Sequence, residues 1–209
     1  DSTIKVNELV DTAKEMGYKN ISLTEHGNMF SVPDFYKKTD KTKGVKGIIG
    51  VETYIAEKDA TIKGKENPER YHLVLLAKNN KGYKNLKKLV SYSYLKGFYY
   101  KPRIDKEILK KYSEGIIATS ACLGGEINQY LLADDIEGAY QSAKEYKEIF
   151  GDDFYLELQD HNLREQLKVN PLLVEMGEKL NIPLIVTNDI HYLYKSDADV
   201  QDVLLCLQT

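Results

Sequence analysis

The stretch Ile182 to Leu193, IPLIVTNDIHYL, constrains the fold more than any other. Pro183 opens the branched apolar run Leu184 to Val186, which predicts a strand buried on both faces, as in the parallel sheet of an α/β protein. The run stops in Thr187, Asn188, Asp189 and His191, where a barrel strand would emerge at its C-terminal rim, the face that carries chemistry in α/β barrels. Asp189 and His191 are two apart, so an extended backbone would point both side chains the same way. Two readings fit that pair: ligands for a divalent metal, or a strand-end turn with a hydrogen-bonded Asp and a half-exposed His.

The rest of the chain reads as alternating strand and helix. A helix follows from the spacing of Val6, Leu9, Val10, Ala13 and Met16, with Ser2 or Thr3 as its cap and Gly17 as its stop. Strands are expected at 20–23, 47–55, 71–77, 115–119 and 154–158, and helices at 33–42, 82–95, 106–112, 126–132, 136–150 and 163–180, the last disturbed at Pro171. Asp105 is placed to cap the short helix after the turn-rich GFYYKPR loop, Ser196 or Asp197 to cap a final helix through Leu207. Residues 57–69 form a polar loop without apolar periodicity. Six strands, all but the second followed by helix, predict a largely parallel α/β architecture. Because the first element is a helix, a strand is expected upstream of Asp1, giving a seven-stranded distorted barrel, and the chain is expected to continue beyond Thr209.

Length allows one α/β domain across 1–209, and no apolar run approaches the roughly 20 residues of a membrane span. No leader precedes the first helix, and Cys122 and Cys206 make no disulfide framework, so a cytoplasmic setting is the expectation. Cys206 reads as a small buried apolar residue. The net charge of −3 argues against a binder of nucleic acid over its whole surface. Yet Lys78 to Lys111 carries eleven Lys or Arg against Asp105 and Glu107, or +9, leaving −12 elsewhere. Tyr83, Tyr92, Tyr94, Tyr99 and Tyr100 lie within it. Interleaved cations and aromatics suit phosphate neutralisation and base stacking on a single strand; a solvated helix face with Tyr packed beneath is the plainer alternative.

Metal-ligand residue types recur at predicted strand ends: His26, Glu52, Cys122, His161, Asp189 and His191. Converging imidazoles and carboxylates suit a hydrolytic centre of Zn, Mn or Fe. In a parallel sheet His72 falls at its strand's start, the wrong rim. Glu25 is placed to orient His26 rather than to bind metal. His161, between Asp160 and Asn162, fits a loop cap equally well.

Taken in order, LTEHGN, GVETYIA, YHLVLLAKNNKGYKNL, KGFYYKPRIDKEIL, SACLGGEI, FYLELQDH and TNDIHYL resemble the N-terminal PHP (polymerase and histidinol phosphatase) domain of bacterial DNA polymerase III alpha subunits, over essentially the whole chain. The resemblance implies a distorted (β/α)7 barrel and metal ligands at Asp1, His26, Glu52, His72, Cys122, Asp189 and His191, so His72 regains what spacing denied it. It offers no ligand role for His161. The family's His-x-His pair would precede Asp1, and its Thr-Asp-His stands here as Thr24-Glu25-His26. The implied activity is a phosphoesterase using about two or three divalent ions, with 3′ to 5′ exonuclease proofreading as its polymerase-borne form. Tyr99, Tyr100, Lys101 and Arg103 would meet DNA, and further polymerase domains, a sliding clamp or an exonuclease subunit would be partners. Two alternatives stand beside it: a scaffold without catalysis, and a free-standing phosphatase.

Overall fold

In a computed structural model, residues 2–207 are described, and they form two compact units. The smaller comprises residues up to 23, 30–48 and from 189 on; the larger comprises 24–29 and 49–188.

The smaller unit holds helix α1 (Val6–Glu15), strand β1 (Asn20–Leu23), helix α2 (Val32–Lys41) and helix α8 (Ala198–Leu205). Leu9, Val10 and Phe35 form its core, with Val6, Ile21, Leu23 and Leu193 against them. The expected cap of α1 by Ser2 or Thr3 is not made. Lys5 is the N-cap residue, while the Ser2 hydroxyl accepts from Ile4 N at 3.1 Å and donates to the His191 carbonyl at 2.9 Å. Gly17 ends the helix at φ 81°, a conformation that costs glycine little. Cys206, expected to be buried, is exposed.

Strand β2 (Lys46–Ile55) begins in this unit, where Lys46 N donates to the Lys19 carbonyl at 2.8 Å, and runs on into the larger one. There the strands are β3 (Tyr71–Ala77), β4 (Arg103–Ile104), β5 (Ile116–Thr119), β6 (Phe154–Leu158) and β7 (Leu184–Val186). Their order is β2-β3-β5-β6-β7, with β4 on β2. The helices are α3 (Asn80–Leu95), α4 (Lys106–Tyr112), α5 (Glu126–Leu132), α6 (Ile136–Phe150) and α7 (Arg164–Leu180). Asn79, Asp105 and Asp135 cap α3, α4 and α6, accepting from main-chain N–H groups of the first turn. Val51, Leu73, Leu75, Leu86, Leu89, Phe154 and Leu173 belong to one buried apolar cluster.

The α/β class is as expected, and the sheet fits a distorted barrel, but it is mixed rather than largely parallel. β3 runs antiparallel to both β2 and β5, whereas β5, β6 and β7 are mutually parallel. The strand expected to be buried on both faces, β7, is instead exposed along its length, because it occupies an edge of the described sheet. α7 continues through Pro171 without interruption. No described helix is long and apolar enough to cross a membrane.

Candidate metal centre

Three chain segments of the larger unit meet at Glu52. On β2 the side chains of Glu52 and Tyr54 share one face, and the antiparallel register sets Tyr54 opposite His72 and Glu52 opposite Val74. The turn after β1 is tied to the same strand: Glu52 N donates to the Glu25 carbonyl at 3.0 Å, and Gly27 N to the Glu52 carbonyl at 2.7 Å. Those two bonds deliver His26 beside Glu52. Gly27 sits at φ 65°, and a Cβ there would meet Pro102 Cγ at 2.6 Å and the Tyr54 ring at 3.2 Å. Only glycine fits.

The Glu52 carboxylate lies between the two imidazoles, Oε1 3.0 Å from His72 Nδ1 and Oε2 3.3 Å from His26 Nδ1. Cys122 Sγ stands 3.3 Å from His72 Nδ1 and 3.8 Å from Glu52 Oε1. The imidazole rings are 5.0 Å apart, edge to face. Tyr54 stacks on His26 at 5.6 Å and meets His72 edge-on at 5.4 Å, so an aromatic wall fixes both rings. Its phenol pKa is raised above the ordinary value, by burial first and by the charge of Glu52 second.

Cys122 is carried by the turn after β5, in which Ala121 takes φ 61°. Gly124 N points at Cys122 Sγ from 3.4 Å, the Gly124 carbonyl accepts from His72 N at 2.9 Å, and Asn128 Nδ2 donates to the Cys122 carbonyl at 2.9 Å. One short loop thereby positions both a thiol and an imidazole.

This donor set suits a divalent metal ion. Ligand atoms from His26, Glu52 and His72 all lie within 4.8 Å of one another. Around a tetrahedral ion with bonds near 2.0–2.1 Å, neighbouring ligand atoms stand about 3.3 Å apart, close to the two carboxylate–imidazole separations.

Asp189 and His191 lie in the smaller unit, where His191 Nδ1 is 3.8 Å from the Asp189 carboxylate and 2.9 Å from its carbonyl. They do not form the extended pair expected of them: Asp189 turns at φ 46°, three residues past the end of β7. Asp1 lies outside the described residues. Glu25 is half-buried beside His26. His161 caps a loop, its Nε2 2.8 Å from the Asn188 carbonyl and its Nδ1 3.0 Å from Gln166 Nε2.

Arg103 requires a correction. Expected at a DNA-binding surface, it is fully buried, its guanidinium donating to the carbonyls of Gly97, Asn67, Ala60 and Ile62. Burial holds its pKa below the ordinary guanidinium value. Tyr99 lies over that guanidinium at 5.2 Å, while Tyr100 and Lys101 are exposed. Sequence reasoning passed over Tyr54 and Gly124. The alternation of Glu52 and Tyr54 along one strand, and the paired glycines after Cys122, were the available signals.

The sequence matches the PHP domain family over residues 1–161. Among curated proteins it is similar to the DNA polymerase III alpha subunits of Borreliella burgdorferi, 47% identical over 211 residues, and Aquifex aeolicus, 46% over 215, each match covering 100% of this chain and 18% of that protein. The subunit from Thermus aquaticus is 44% identical with the same coverage. The chain thus spans about a fifth of the length of these relatives. Among solved structures, a candidate metal-dependent phosphoesterase from Bifidobacterium adolescentis shares the fold, with a TM-score of 0.57, 11% identity, and coverage of 91% of this chain and 84% of that one.

Proposed function

The chain belongs to the PHP domain family, and from that premise we propose that it is the metal-dependent phosphoesterase domain of a bacterial DNA polymerase III alpha subunit, removing nucleotides from a DNA 3′ end. The observation that carries the reading is the convergence of His26, Glu52 and His72, with Cys122 against them, in a sequence 39–47% identical to such subunits along its whole length. The family resemblance also implies ligand roles for Asp1, Asp189 and His191, and about two or three ions in all. Nucleotidyl transfer would belong to other domains of the same polymerase, acting in the cytoplasm with a clamp or exonuclease subunit as further partners.

A divalent ion held by these residues supplies Lewis-acid chemistry toward a phosphate ester. The chain's own part is to hold and orient. Glu52, buried to 7% exposure, places one carboxylate oxygen at each imidazole and fixes which ring nitrogen faces inward. Tyr54 closes one side of the site, which keeps the carboxylate in a setting of low dielectric where its charge acts strongly. Lys101, with its ammonium 5.7 Å from the Tyr54 ring, brings a cation to the edge of that wall, suited to a phosphate.

The test pairs metal content by mass spectrometry with release of nucleotides from 3′-labelled single-stranded DNA, on the intact protein and on His72→Ala. Bound Zn, Mn or Fe, chelator-sensitive release and loss of both in the variant are expected. A folded protein without metal would overturn the proposal, and metal without cleavage would turn it into a scaffold.

A further inference from the structure

Large aromatic rings are normally drawn into the interior, yet three of them crowd the surface of the larger unit. Tyr94, Phe98 and Tyr100 are 40%, 43% and 74% exposed. They fall close together in sequence, in two ring pairs: Tyr94 on α3 lies 6.1 Å from Phe98 just beyond it, and Tyr100 packs against Tyr99 at 4.7 Å.

The loop that displays Phe98 and Tyr100 is strained and braced. Tyr100 takes φ 58°, a conformation that bulky side chains avoid, inside a turn closed on both sides: Tyr99 N donates to the Lys101 carbonyl at 3.0 Å, and Lys101 N to the Tyr99 carbonyl at 2.7 Å. Such strain persists where surrounding structure over-determines it, and it concentrates at binding sites. Here the brace is Arg103, whose buried guanidinium holds the Gly97 carbonyl at one end of the loop and three carbonyls of residues 60–67 behind it. The result is an aromatic ring held out to solvent by a hydrogen-bonded turn.

Charge decides what would lie on that display. Of the eleven cations between Lys78 and Lys111, four are ion-paired (Lys78, Lys81, Lys106, Lys110) and Arg103 is spent on carbonyls. The remaining six lysines, Lys96 and Lys101 among them, have no carboxylate partner among the described residues. An apolar protein partner would leave those charges unanswered, whereas a phosphate backbone answers them. The display also adjoins the metal centre, because Lys101 reaches the Tyr54 ring that stacks on His26.

We propose that Tyr94, Phe98 and Tyr100, flanked by Lys96 and Lys101, form a stacking platform for single-stranded nucleic acid that leads a strand end to the metal centre. The strand must be single because the ring faces need unstacked bases. Binding is tolerant of sequence, since every base offers a π-face and the lysines meet only phosphate. The proposal rests on the phosphoesterase reading for its direction, though not for the binding itself.

The experiment is photo-crosslinking of an oligonucleotide carrying 5-iododeoxyuridine at its 3′-terminal positions to the intact protein, in chelator, followed by peptide mapping. The expected result is an adduct on the tryptic peptide Gly97 to Arg103 with the single strand and little with the duplex. Phe98→Ser with Tyr100→Ser should lower its yield at sub-saturating protein by at least about 5-fold, and Lys101→Glu should lower it further. Metal content, measured on separate samples without chelator, and the folded circular-dichroism signal serve as controls, and both stay at wild-type level. Equal labelling by duplex, labelling confined to other peptides, or undiminished yield in the double variant would each overturn the platform. A double variant that keeps its labelling but weakens association with other protein segments would assign the patch to a protein contact instead. Because chelator is present throughout, labelling is read independently of whether the site hydrolyses anything.

Discussion

Gly124→Ala tests the metal centre without substituting any proposed ligand. A Cβ at Gly124 would stand 2.9 Å from His72 Nδ1, 3.1 Å from Cε1 and 3.2 Å from Cγ. Ordinary contact between such atoms begins near 3.5 Å, so the ring must retreat by roughly 0.5 Å. It has little freedom to do so. Nδ1 faces Glu52 at 3.0 Å and Cys122 at 3.3 Å, Tyr54 lies against the ring edge-on, and His72 N is tied to the Gly124 carbonyl itself. Metal–ligand distances tolerate shifts of only about 0.2 Å, so the displaced imidazole loses its place in the coordination set. The expected loss of metal affinity is about 10–100-fold, comparable to removing a partner that orients a ligand. Overpacking costs about 1–3 kcal/mol, offset by roughly 0.4–1 kcal/mol from the stiffer unfolded chain. The net cost of about 0–2.5 kcal/mol should lower Tm by less than about 10 °C. Zinc affinity is read by competition with a chromophoric chelator, and Tm in excess chelator separates folding from binding. Wild-type affinity in a variant that has folded would refute the claim that His72 is held in place by this loop for metal binding.

Three further outcomes follow from the same contacts. Arg103→Leu leaves the carbonyls of Gly97, Asn67, Ala60 and Ile62 without their donor; a loss of about 3–5 kcal/mol, or roughly 6–20 °C in Tm, is expected by calorimetry, and a loss near zero would remove Arg103 as the loop's brace. His191→Ala should lower bound metal in the intact protein, and unchanged stoichiometry by mass spectrometry would strike it from the ligand set. Stripping the metal should lower Tm, and readdition at about 100 times Kd should restore about 2.7 kcal/mol; a Tm indifferent to the metal would mean that the ion, if bound, does not favour the folded state.

Much of the fold was legible because local rules and tertiary packing agree. The helices Glu126–Leu132 and Ile136–Phe150 and the strands Tyr71–Ala77 and Phe154–Leu158 have the bounds that periodicity predicts. Asp105 caps its helix as expected, and its other oxygen accepts from Ala60 N at 2.9 Å, a contact no local pattern contains. Strand β4 was illegible for the same reason: two residues following Pro102 gain their extended form only from pairing with Tyr54 and Ile55. Arg103 misled because a cation among exposed tyrosines reads as surface. Four carbonyls converging from loops 36 to 43 residues away in sequence and from Gly97 make burial affordable, and separations of that kind leave no trace in composition.

His72 shows most sharply where sequence reasoning goes astray, and why. In a parallel sheet the start of a strand and the ends of its neighbours lie at opposite rims, so a ligand at position two of β3 seems misplaced. β3 is antiparallel to both β2 and β5, which brings its start to the rim where β2 and β5 end, against Tyr54 on one side and beside Cys122 on the other. Half of that reversal was open to inference. A parallel return demands a crossover of a dozen or more residues, usually a helix, and residues 57–69 lack the apolar periodicity such a helix needs. The absence of a crossover helix argues for an antiparallel β3, and with it for His72 as a rim residue. The other half was not open, because helices α3 and α4 separate β3 from β5, and a helical connection ordinarily signals a parallel neighbour. Placement of His72 at the rim therefore follows from the missing helix before β3 rather than from the helices after it.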